Sequence, residues 1–196
     1  MPTADPIVPI HALHAVPEFS PATAAIWLLC HYPDTAETTE RVAGAVALYE
    51  RWKWPIWLYG SNSARYPASV EKMIKAELIA AGIPSHAIQC SGDLPHIPRS
   101  LDTVQEALNV SASAQAAGIE TLFCLSNRLQ LLQARALLKR HPLRFVWIAT
   151  PLRDRRWWYL LVRLLLIPLA HAGIGRSFPP LVFVRWARAR LALWPY

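Results

Sequence analysis

Short continuous apolar runs alternate along the chain with longer stretches whose apolar residues recur every three or four positions. The run at 24–30 (AAIWLLC) has the character of a strand buried on both faces. Residues 38–52 then place Val42, Ala45, Val46 and Tyr49 on one helical face. A second strand is predicted at 55–60 (PIWLYG), where Pro55 takes the first position and its missing N–H is tolerated. Helix 67–81 is closed by Gly82 and followed by Pro84, a stop signal. A short strand at 86–90, a helix at 101–117 ending at Gly118, a strand at 121–125 (TLFCL), a helix at 127–140 before Pro142 and a strand at 144–149 (RFVWIA) complete the series. Strand–helix repeated four times before a closing strand predicts an α/β fold: a doubly wound, mostly parallel five-stranded sheet with helices on both faces.

Such sheets bind ligands beyond the carboxyl ends of their strands, near the point where strand order reverses. The polar residues that fall there are His31, Tyr32 and Asp34 after the first predicted strand. Gly60, Ser61, Asn62 and Arg65 follow the second. Ser91, Asp93 and His96 follow the third and lead to Ser100, Asp102 and Thr103; Ser126, Asn127 and Arg128 follow the fourth. This set suits a phosphate or another polar small molecule. Several candidates have a structural alternative: Ser100, Asp102 or Ser126 as a helix N-cap, Asn62 as a turn residue, and, on the helices, Arg41 as the i+4 partner of Glu37 and Gln130 as a solvated residue.

Of the 196 residues, 54% are hydrophobic and 17% charged, which excludes disorder for the bulk of the chain. Three cysteines without CxxC spacing exclude a zinc ribbon and argue against a disulfide framework. The net charge of +7 is unevenly spread: residues 1–127 sum to −5, whereas residues 128–196 hold 13 basic residues and a single acid, Asp154, for +12. Residues 1–23 lack a basic n-region and hold five prolines, so they read as an irregular arm, not a secretory signal; a cytoplasmic location peripheral to the inner membrane is expected. Residues 24–150 form the α/β domain and residues 151–196 a basic, Trp-rich helical extension. Its apolar stretch, 157–175, is interrupted by Arg163, Pro168 and His171, a poor spanning segment. Arg153, Arg155, Arg156, Trp157, Trp158, Arg163, Arg185, Trp186, Arg188 and Arg190 combine aromatic rings and guanidiniums as an interfacial helix does, so contact with a membrane surface or a membrane protein is expected. Packing of this region on the sheet is the alternative. Nucleic acid is disfavoured by the apolar content.

No GxGxxG, P-loop, HExxH or GxSxG pattern is present, and Cys90 with His96 does not make a metal site, so no metal is expected. Three segments in order, YGSNSARY leading into KAELIAAGIP, then RSLDTVQEA, then FCLSNRLQLLQARALL, resemble the bacterial domain family typified by SanA, ElyC and YdcF, the SanA branch most closely. The resemblance covers about residues 24–150. It implies a Rossmann-like sheet, a role in the cell envelope, and, for part of the family, a nucleotide-like ligand such as S-adenosylmethionine. The family's early helix-one arginine falls on Arg41. Its Ser-Gly pair after the second strand falls on Tyr59 and Gly60, with Asn62 nearby, and its S-x-N-T element on Ser100, Leu101, Asp102 and Thr103. The glycine-rich end of its first strand is Cys30 and His31 here. Its fourth-strand element falls on Ser126, Leu129, Gln130, Gln133 and Ala134, where Gln130 and Gln133 replace a His and an Arg. Those replacements remove a group that exchanges protons near neutrality and a bidentate phosphate fork.

Three readings follow. The chain is an envelope-associated domain binding a phosphate-bearing or nucleotide-like ligand through Arg41, Gly60, Ser61, Asn62, Arg65, Ser100, Asp102, Thr103, Ser126, Asn127 and Gln130. Or it is a transferase or hydrolase acting on a phosphorylated envelope precursor, with His31 or Asp102 as general base. Or it is a non-catalytic interaction module with a vestigial pocket.

Overall fold

The computed structural model describes residues 6–15, 22–30, 35–60, 69–93, 103–139, 141–153 and, further on, 160, 161, 164, 167 and 168. Among the described residues six parallel strands make one sheet: β1 (Ile7–Pro9), β2 (Ala24–Leu28), β3 (Ile56–Leu58), β4 (Ile88–Cys90), β5 (Thr121–Asn127) and β6 (Arg144–Thr150). Their order is β1-β6-β5-β2-β3-β4. Four helices connect them: α1 (Ala36–Trp52), α2 (Val70–Ala80), α3 (Thr103–Ala116) and α4 (Arg128–Leu138). The strand count corrects the expected five. The additional strand, β1, lies within the segment read as an irregular arm and pairs with β6 in the register Ile7↔Trp147, Val8↔Ile148 and Pro9↔Ala149. Its three residues are too few for a visible period, and Pro9 masks them as loop. An edge position with a single neighbour makes that proline acceptable.

Alternation along each strand sorts the core into two layers. Ala24, Ile26 and Leu28 of β2 face Val42, Ala45 and Leu48 of α1 and Ile74 and Leu78 of α2. Ala25 and Trp27 of β2, with Leu29 just beyond it, face Ala107, Val110 and Ala114 of α3 and Leu131, Ala134 and Leu138 of α4. The sheet is therefore covered on both faces, as a parallel sheet must be. α1, α2 and α4 start on side-chain caps: Thr35 accepts from the Thr38 N–H, Ser69 from the Lys72 N–H and Asn127 from the Gln130 N–H. Gly82 (φ 95°) and Gly118 (φ 70°) sit where the sequence places the ends of α2 and α3, in the left-handed conformation that glycine adopts at low cost.

Strand order reverses between the two central strands, β2 and β5: from β2 the chain adds β3 and β4 outward on one side, then crosses back and adds β5 and β6 outward on the other, all of them parallel. The crevice at their carboxyl ends is the position that this topology assigns to a ligand. Beyond β6, Leu160, Leu161, Leu164, Ile167 and Pro168 are helical. Among the described residues no helix is long and apolar enough to cross a membrane.

Candidate functional site

Just past the end of β2, the Leu29 N–H still bonds the Leu125 carbonyl of β5 at 3.1 Å, while its own carbonyl accepts a 2.6 Å hydrogen bond from Arg41 Nη1. Arg41 lies one turn above Glu37 on α1, and its Nη2 donates to Glu37 Oε1 at 3.2 Å and to Gln130 Oε1 at 3.0 Å. Gln130, in the first turn of α4, also accepts from Ser126 Oγ at 3.1 Å and donates through Nε2 to Thr103 Oγ1 at 3.5 Å. Asn127 caps α4 through its carbonyl oxygen and gives its amide N–H to Glu37 Oε1 at 2.5 Å. These groups come from α1, α3, α4 and the end of β5, and Arg41, Glu37 and Gln130 are only 1–2% exposed. A buried ion pair of this kind persists when hydrogen bonds satisfy its remaining valences. Arg41 Nε has no hydrogen-bond partner among the described residues.

A second cluster closes the ends of β3 and β4. Glu71, in the first turn of α2, accepts the Gly60 N–H at 2.7 Å and the Ser91 hydroxyl. Gly60 is held against Cys30: a Cβ on residue 60 would lie 2.8 Å from Cys30 Cβ and 2.9 Å from its Sγ. Burial, then the carboxylates of Glu106 and Glu71, push the Cys30 thiol well above its ordinary value, while Arg41 acts in the opposite sense. Burial and Glu71 likewise push Cys90 up to about 12. Cys30 and Cys90 are therefore protonated thiols near neutrality, not nucleophiles. All three cysteines are free.

Of the residues expected at the site, Arg41, Thr103, Ser126, Asn127 and Gln130 meet in the first network, and Gly60 lies in the second. His31, Ser61, Asn62, Arg65, Ser100 and Asp102 lie outside the described residues, as do Arg155, Arg156, Trp157, Trp158, Arg163, Arg185, Trp186, Arg188 and Arg190. Arg153, expected at a membrane or partner, folds back on α1. Its backbone N–H donates to Glu37 Oε2 at 2.8 Å, and its Nε and Nη2 grip Glu40 Oε1 at 2.8 and 2.6 Å. The α4 cap is Asn127, with Ser126 bonded instead to the Gln130 side chain.

Sequence reading missed the weight of Glu37, Glu71 and Glu106. Each stands in the first turn of a helix and is buried at 4% exposure or less. An acid in that position ordinarily signals nothing beyond a favourable helix dipole on the surface. By contrast the first turn of α4 contains no acid. Among the described residues no group of histidine, cysteine and carboxylate side chains is placed to hold a metal ion. No protein-family model, curated protein or solved structure matches this chain.

Proposed function

We propose that the chain is a SanA/YdcF-like, envelope-associated α/β domain that binds a polar, phosphate-bearing or nucleotide-like small molecule in the crevice between the carboxyl ends of β2 and β5. The observation that carries this reading is the convergence of Arg41, Thr103, Ser126, Asn127 and Gln130, remote in sequence, on one buried hydrogen-bonded network at the strand-order reversal. The anionic end of the ligand belongs beside Arg41 and the α4 first turn, the one helix start of the four without an acid. Hydroxyl or amino donors belong toward the carboxylates of Glu71 and Glu106. The role is binding: Gln130 offers a donor and an acceptor but exchanges no proton near neutrality.

The test is a thermal-shift screen of the full chain against S-adenosylmethionine, nucleoside mono- and diphosphates and sugar phosphates. A ligand at about a hundred times its Kd raises stability by about 2.7 kcal/mol. The Thr103→Val variant should weaken that shift while keeping the fold. A flat response across the panel overturns the reading. One observation favours a second reading, a non-catalytic interaction module: the Arg41 guanidinium is already engaged by Glu37, Gln130 and the Leu29 carbonyl. A flat screen with an intact fold is the outcome it expects.

A further inference from the structure

Among the described residues, the Glu37 carboxylate takes hydrogen bonds from three separate parts of the chain. Oε1 accepts from Arg41 Nη2 at 3.2 Å, one turn further along α1, and from Asn127 Nδ2 at 2.5 Å, at the start of α4. Oε2 accepts the Arg153 backbone N–H at 2.8 Å, 116 residues on and just past β6. Arg41 and Asn127 belong to the crevice network. Arg153 does not, and its guanidinium is gripped by Glu40 Oε1 at 2.8 and 2.6 Å. Glu37 is 2% exposed, so bulk water cannot stand in for a lost donor. A buried carboxylate short of partners is costly, and its hydrogen bonds act as a set.

We infer that Glu37 is a positioning residue that couples occupancy of the crevice to the fastening of the chain just beyond β6; the ligand half of this inference rests on the binding reading above. Arg41 serves a ligand only while Glu37, Gln130 and the Leu29 carbonyl hold its guanidinium in place. The i+4 spacing alone would make Glu37 an ordinary helix partner, worth little. The second oxygen changes that role. With Oε2 tied to the Arg153 N–H, the carboxylate keeps Oε1 turned toward Arg41 and Asn127. Detaching residue 153 frees the carboxylate to rotate, and the guanidinium loses one of its fixed supports. The sign of the coupling follows from linkage. Loosening at residue 153 weakens binding in the crevice, so binding in the crevice tightens residue 153 by the same factor. The ligand thereby favours the fastened state over the loosened one, which is the differential affinity that such a shift requires.

Amide hydrogen exchange of the full chain tests this, with the Arg153 N–H as reporter. The control is the Gly118 N–H, bonded to the Gln115 carbonyl in the turn before β5, at the amino end of the sheet. Arg41→Lys keeps the charge but puts one ammonium in place of a fork, so it cannot serve Leu29, Glu37 and Gln130 in the same way. In that variant Arg153 should exchange about fivefold faster or more, with Gly118 unchanged. In the parent, adenosine diphosphate at a concentration that raises the thermal midpoint should slow Arg153 by a similar factor and leave Gly118 as it was. Two results overturn the inference: Arg153 exchange no faster relative to Gly118 in Arg41→Lys, or a midpoint raised by adenosine diphosphate with Arg153 exchange unchanged. The variant comparison uses no ligand. It therefore stands or falls apart from the binding reading, which the thermal-shift screen decides.

Discussion

At the scale of single residues, Gly60 is fixed by space and not by conformation. The Cβ of any larger residue would come within 2.8 Å of Cys30 Cβ and 3.2 Å of Glu71 Cγ, atoms that cannot swing aside. Gly60→Ala should therefore destabilise the domain by about 1–3 kcal/mol, read as a lower urea midpoint. An unchanged midpoint would mean that the ends of β2 and β3 part freely. The buried titrating groups make an alkaline prediction. Cys90 is raised from 9.0 to about 12 by burial and Glu71, and Tyr59 from 10.0 to about 12, chiefly by burial. In both, the folded state holds its proton more tightly than the unfolded state. Their contribution is complete below the unfolded values and is lost as pH climbs through the folded ones. Unfolding free energy should thus be level near neutrality and fall from about pH 9 upward, less steeply in Cys90→Ala. A level profile up to about pH 11 would refute the assignment.

At the scale of elements, α4 begins on one side chain with two tasks. Asn127 accepts the Gln130 N–H and donates to Glu37, so it sets both the start of the helix and its distance from α1. Asn127→Ala should cost about 1–2 kcal/mol in chemical denaturation, and Asn127→Asp, which keeps the cap, should not recover the loss because it sets an acid against Glu37. Equal stability of Asn127→Asp and the parent would remove the second task. The elements themselves were legible because both periods are clean: five strands and four helices stand where apolar runs and three-four spacing put them. β1 was not, since three edge residues ending in proline carry no period. That Ser126 and Asn127 would fall at the carboxyl end of a strand was legible from strand–helix alternation alone. The partners that meet there were not. That Arg41 meets Glu37 can be read from i+4 spacing, but its bond to Gln130, 89 residues away, exists only once β5 lies beside β2. The burial of Glu71 follows from the closeness of β3 to β4, which a sequence shows just as little.

At the scale of the whole molecule, the segment leaving β6 is fastened to the first turns of α1. Glu37 receives the Arg153 N–H, and Glu40 holds its guanidinium, half-exposed, at 2.6 Å. A solvent-facing pair contributes little to global stability, about 0–1 kcal/mol. Its effect should instead be local: Glu40→Gln should leave the thermal midpoint nearly unchanged while trypsin cuts after Arg153 several-fold faster. Equal cleavage rates would show that the backbone contact to Glu37 suffices. The order of the strands has a consequence of a different kind. Among the described residues β1 pairs with β6 alone, and Val8 finds Ile148 140 positions further along the chain. A ribosome therefore delivers Ile7–Pro9 long before Arg144–Thr150, the strand with which it pairs. Until residues 144–150 have left the exit tunnel, Ile7–Pro9 lacks the strand it pairs with, so a product truncated before β6 leaves residues 7–9 without that partner.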